Sequence, residues 1–191
     1  IELTYSVDGN INSENNIKDS ILKIFILYSV LSLVIFMLLN ISGSRMFNSL
    51  NLSMSLISSG GFLPTDSLDK IIKSNLQKII FTFSLLISML NFFLVLNIFQ
   101  KKIIIREHKE DLYLIFLSLV FILLIYFNNH NGINIVISVL SSLANSGLSL
   151  LNSDNNLSLY FILITVVGGS LVSNTSGIKL TRIYILLKTV A

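Results

Sequence analysis

Two short stretches of this sequence end in residues suited to chemistry performed by the backbone itself. They are Ser58-Ser59-Gly60-Gly61 and Asn145-Ser146-Gly147. Glycine tolerates positive φ and lets the chain approach an ion closely. Carbonyl oxygens arranged in this way can replace the hydration shell of a monovalent cation without fixing it by a full charge. Each stretch closes a short apolar segment, Met46 to Ser59 or Ile133 to Ser146. If those segments are helical, their C-terminal ends direct partial negative charge at the same place. The competing reading is an ordinary helix C-cap and turn. Pattern alone leaves both readings open.

Elements able to position such loops are visible in the hydropathy. The chain is 53% hydrophobic and 12% charged, with a mean hydropathy of +0.81, too few charges to cover a soluble domain. A membrane-crossing helix needs about 20 apolar residues. Ile24 to Ile41, Ile79 to Phe99 and Leu112 to Phe127 are candidates. A fourth, Leu157 to Val167, is interrupted at Gly168-Gly169 and resumes from Ile178 to Val190. The two short segments lie between these spans, too short to cross and too apolar for ordinary loops. The order is span, short helix, glycine loop, span, twice over. Ser55-Leu56-Ile57-Ser58-Ser59-Gly60 set beside Ser142-Leu143-Ala144-Asn145-Ser146-Gly147 supports a duplication. Repeats in membrane proteins commonly place a pathway at their interface.

Charge suggests an orientation. Lys18, Lys23, Lys101, Lys102, Arg106, Lys109, Lys179, Arg182 and Lys188 fall on one side of this topology, against Arg45, Lys70, Lys73 and Lys78 on the other. The excess of positive residues places the connection between the units in the cytoplasm and both glycine loops outside. The mixed-sign run from Lys101 to Asp111 reads as a solvated loop rather than a nucleic-acid patch. The absence of cysteine excludes disulfides and thiolate sites. His108 and His130 lack partners at ligand spacing. No catalytic constellation is present, so no enzyme activity is expected, and no cofactor. Asp66 and Asp154 follow the two glycine loops. Either they gather cations at an outer mouth, or Asp66 caps a helix starting near Ser67 and Asp154 is a solvated loop residue.

The residues that carry these features also resemble a known family. Ser58-Ser59-Gly60-Gly61-Phe62, followed by Thr65 and Asp66, is similar to the second pore loop of TrkH-like membrane subunits in the Trk/Ktr/HKT potassium transporter superfamily. That loop ends in a Thr-Gly-Gly-Phe-like signature. Ile133 to Leu148 resembles the third loop, usually ending in Ala-Gly-Phe. The run from Gly168 to Arg182 resembles the family's Gly-Gly-Cys-x-Gly-Ser-Thr-x-Gly-Gly-(Ile/Leu)-Lys-x-x-Arg stretch.

The resemblance implies an all-α polytopic membrane protein with two tandem membrane helix–pore helix–filter loop–membrane helix units, part of a four-unit pseudo-symmetric pore. Residues 1–20 would be a polar connection from a missing first unit, 21–100 the second unit, 101–111 a cytoplasmic linker and 112–191 the third. It implies potassium uptake across a bacterial inner membrane, with K+ the transported ion. The filter would comprise Ser58, Ser59, Gly60, Gly61, Asn145, Ser146 and Gly147. The gating loop would comprise Gly168, Gly169, Ser170, Ser173, Thr175, Gly177, Lys179 and Arg182. Implied partners are the missing first and fourth units, a second copy in a homodimer, membrane lipid and a cytosolic nucleotide-binding regulatory subunit (TrkA-like), with no nucleic acid. The family register sets Gly61 opposite Gly147, whereas the internal alignment sets Gly60 there. Val172 and Ser176 stand where the family has glycine, Leu171 and Asn174 are unusual, and Leu148 replaces Phe. Lys179 and Arg182 are open to two readings, charges at a water-filled gate or anchors snorkelling to headgroups. The alternative function is a non-conducting split or decayed membrane protein that keeps the transporter fold.

Overall fold

The structure, a computed structural model, describes residues 14–92, 94–95, 109–127, 132–150 and 155–190. Its first helix, α1 (Glu14–Ile41), contains a predominantly apolar stretch, Ile21–Ile41, with Lys23 near its start. At a rise of about 1.5 Å per residue this stretch is about 31 Å long, matching the hydrocarbon layer. Leu27, Leu31, Ile35 and Leu39 recur every fourth residue and form one buried stripe. The rest of the surface is apolar too, with Phe25, Val30, Leu33, Val34 and Met37 exposed. An apolar face turned outward from the protein is the pattern of a helix solvated by lipid. The helix stops at Gly43, whose φ is +92°. There the N–H groups of Gly43 and Ser44 bond the Asn40 and Leu39 carbonyls at 3.0 and 3.2 Å, a Schellman closure.

After this turn come α2 (Met46–Ile57), a 3-10 turn (Leu68–Lys70) and α3 (Asn75–Met89). Ser74 and Gln77 form a reciprocal capping box at the start of α3. The Gln77 amide then reaches back to the Ser42 carbonyl at 3.3 Å and Ser44 Oγ at 3.1 Å, pinning the start of α3 to the end of α1. The second half repeats the order as α4 (Lys109–Tyr126), α5 (Gly132–Leu143) and α6 (Asn155–Val167), followed by α7 (Leu180–Val190). Helices α1, α2 and α3 pack on one another; α5 packs between α3, α4 and α6, and α4 meets α7. Among the described residues every regular element is helical.

Two sequence expectations are corrected here. The span expected from Ile79 to Phe99 is broken: α3 ends at Met89, and Leu90 and Asn91 are non-helical before Phe92. Residues 93 and 96–100 lie outside the described set. The break is held by other parts of the chain, as the site shows. The solvated loop expected from Lys101 to Asp111 is also shortened, because α4 already begins at Lys109, and Glu110 and Asp111 are buried. Its remainder, with Lys101, Lys102, Arg106 and His108, lies outside the described residues, as do His130 and Asp154.

Candidate functional site

Both short helices close with the same backbone geometry. In the first, the Ser59 N–H bonds the Leu56 carbonyl at 3.3 Å and the Gly60 N–H bonds that of Ser55 at 2.9 Å. In the second, the Asn145 N–H bonds Ser142 at 3.1 Å and the Ser146 N–H bonds Ser141 at 3.0 Å. The left-handed residues are Ser59 (φ +52°) and Asn145 (+54°), then Gly61 (+69°) and Gly147 (+67°). Ser59 thus answers to Asn145, Gly60 to Ser146, and Gly61 to Gly147, at a constant separation of 86 residues. The internal alignment that paired Gly60 with Gly147 is one residue out of register. It matched Ser-Gly with Ser-Gly, whereas the fold matches residues by the hand of the backbone. Each loop is a C-cap, but its left-handed cap residue is Ser59 or Asn145 rather than glycine.

This register explains a difference between the halves. Ser141 Oγ and Ser146 Oγ share a hydrogen bond of 2.9 Å. In the first loop Gly60 holds the place of Ser146 and has no hydroxyl, and Ser55 Oγ is buried without a hydrogen-bond partner. Ser59 Oγ is likewise unpartnered.

The two loops also meet. A Cβ built on Gly61 would overlap the Ser146 carbonyl oxygen, so the first loop passes against the second with only a hydrogen at that position. Gly147 has open space around the same position. Of the seven loop residues predicted from sequence, Ser59, Gly61, Asn145 and Gly147 therefore set the backbone path. Ser146 supplies the contact between loops.

The break between α6 and α7 folds into a compact loop. Gly168 turns with φ +70° and Gly177 with φ +98°, and each would clash with the other's segment if it carried a Cβ. The Ile178 and Lys179 N–H groups return to the Val166 and Val167 carbonyls at 2.9 and 3.0 Å, satisfying the open end of α6. The Gly169 N–H donates to Thr175 Oγ1 at 3.0 Å, and Ser173 Oγ lies 2.7 Å from the same hydroxyl. Lys179 (φ +73°) is buried, its Nζ donating to the Thr175 carbonyl, to Thr175 Oγ1 at 2.9 Å and to Ser173 Oγ at 3.3 Å. Arg182 is exposed. The two cations paired in the sequence reading therefore have different surroundings. Val172 and Ser176 have no positive φ, so replacing glycine at these places costs no left-handed strain.

Residues that sequence reasoning did not select hold this loop in place. The broken end of α3 takes part directly: the Ser170 N–H bonds the Met89 carbonyl at 3.0 Å, and the Phe92 N–H bonds that of Val172 at 3.1 Å. Glu110, at the start of α4, accepts from the Leu171 N–H (Oε2, 3.2 Å) and from Thr181 Oγ1 (Oε1, 3.2 Å). Its neighbour Asp111 accepts from the Asn91 N–H at 3.0 Å. The available sequence signal was a pair of acids opening an apolar helix, which a mixed-sign reading dissolved into a loop. Asp66, by contrast, is exposed and caps nothing. It pairs with Lys70 at 2.8 Å, and this hydrogen bond and charge hold its carboxyl below its ordinary pKa.

No family model matches the chain, and no curated protein matches it. Among solved structures it is similar to the crystal structure of the potassium transporter TrkH from Vibrio parahaemolyticus, with a TM-score of 0.80 at 20% identity. The similarity covers 97% of this chain and 44% of that one, so this chain spans less than half of that protein's length. The fold is that of TrkH, an all-helical membrane transporter fold. Identity this low establishes the fold alone.

Proposed function

We propose that this chain supplies two adjacent units around a monovalent-cation pathway for potassium uptake, with backbone carbonyls of Ser58–Gly61 and Asn145–Gly147 facing the ion. The observation that carries the reading is the repeated loop geometry. Two irregular loops of the same φ pattern meet at Gly61 and Ser146, each at the carbonyl end of a short apolar helix. Irregular backbone at membrane depth is tolerated where it is buried in protein or lines a water-filled path. The loop of residues 168–179 is the gate in this reading.

The remaining units follow from an unpartnered face. On α5, Ile133 and Val136 face Ile79, Phe83 and Leu86 of α3. By the 86-residue register, Phe47 and Leu50 hold the corresponding places on α2, and both are exposed, together with Met46 and Met54. That face matches a helix equivalent to α3 from a preceding unit. Four units would then enclose the path, in a bacterial inner membrane, as a homodimer with a cytosolic nucleotide-binding subunit.

A second reading is a non-conducting protein that retains the fold. It is favoured by the number of bonds that fix the 168–179 loop to α3, α4 and both short-helix ends. Growth of an uptake-deficient bacterium on limiting potassium separates the two. Expression of the full-length protein carrying this chain is expected to rescue growth, and Gly147→Ser at equal membrane abundance to abolish it. Lack of rescue by well-expressed wild type would favour the second reading.

A further inference from the structure

We propose that two asparagine side chains, Asn174 and Asn145, latch the 168–179 loop to the ends of both short helices. Asn174 Nδ2 donates to the Ile57 carbonyl, the last of α2, at 2.9 Å. Asn145 Nδ2 donates to the Ser176 carbonyl at 3.0 Å and to that of Thr165 at 3.3 Å. The latch joins the broken helix to residues 57 and 145, one at the end of each short helix.

Several features distinguish this from incidental packing. At the end of α2, the carbonyls of Met54, Ser55 and Leu56 are taken by the N–H groups of Ser58, Gly60 and Ser59. The Ile57 carbonyl is instead met by an amide from 117 residues further along the chain. Helix-end carbonyls concentrate partial negative charge, so an N–H donor is favoured there. Asn174 is otherwise exposed, so the bond rather than surrounding side chains determines where it sits. Asn145 is one of the left-handed loop residues, so movement of the 168–179 loop and rearrangement of the 145–147 backbone are mechanically linked. Opening a path past this loop requires breaking both attachments. The consequence for ion flow rests on the function proposed above; the latch itself does not.

The test uses the absence of cysteine from this chain, with any cysteine elsewhere in the full-length protein first replaced by serine. Ser170 is fully buried in the loop, and its hydroxyl has no partner, so Ser170→Cys removes no bond and provides a single reporter. In membranes containing the full-length protein, a water-soluble maleimide should label this cysteine slowly. Asn174→Ala should speed labelling about five-fold, the weight of one neutral hydrogen bond, and Asn145→Ala, which gives up two, at least as much. Asn174→Asp, which keeps the size but cannot donate, should behave like alanine. A second reporter, Ser88→Cys in α3, should remain equally protected in every variant. Labelling of Ser170→Cys unchanged within two-fold would overturn the latch, as would equal acceleration at both reporters. Faster labelling without increased cation flux would leave the latch standing and contradict the gate role.

Discussion

The carbonyl oxygen of Ser146 occupies the space that a side chain on Gly61 would need. This contact fixes the spacing of the two loops, and it lies between residues that are 85 positions apart in the chain. Gly61 is therefore constrained twice, by its left-handed φ and by its neighbour. Gly147 has the same φ without the crowding.

The two glycines should respond differently to the same substitution. Gly147→Ala incurs only left-handed strain, about 1–2 kcal/mol. Gly61→Ala adds overlap with backbone that has little room to move, and should cost about 3–4 kcal/mol in all. Unfolding of the purified protein in mixed detergent micelles measures both. Equal costs would show that the loops do not touch as described.

A second contrast lies beneath the loops. Ser55→Ala removes a buried hydroxyl that has no partner, and should be neutral or stabilising by up to about 1 kcal/mol. Ser141→Ala breaks the bond to Ser146 and should destabilise by about 1 kcal/mol. The same unfolding assay should show a loss of stability for Ser141→Ala and none for Ser55→Ala, although the two serines occupy equivalent positions.

Glu110 ties α4 to the broken helix through the Leu171 N–H and Thr181 Oγ1. Glu110→Gln keeps one acceptor oxygen and should cost about 1–2 kcal/mol, whereas Glu110→Ala leaves both donors unmet and should cost about 3 kcal/mol. Hydrogen exchange at the Leu171 amide should accelerate in both variants, and more in the alanine variant. An unchanged exchange rate would remove Glu110 from the loop's support.

Much of this arrangement was legible in the chain because lipid and backbone impose simple patterns. The uninterrupted apolar run to Ile41, the short helices before Ser58 and Asn145, and the break at Gly168-Gly169 are all local signals of length and composition. The internal alignment alone misses the register, since Ser59-Gly60 and Ser146-Gly147 look alike as letters but differ in the hand of the backbone. The family resemblance sets Gly61 opposite Gly147, as the fold does. The break after Met89 was hidden because Leu90, Phe92 and Val95 continue the apolar run; only tertiary bonds from Ser170, Asp111 and Val172 reveal why the helix can stop there. Glu110 and Asp111 were misread for the same reason. Their partners include the backbone N–H groups of Leu171 and Asn91, which no side-chain pattern records.

Potassium flux into proteoliposomes containing the full-length protein most directly tests the central claim, that these paired loops line a cation pathway. The account predicts concentration-dependent uptake by the wild type, lost in Gly147→Ser while the protein remains folded and inserted. Equal uptake by wild type and variant, or none by a folded wild type, would contradict it.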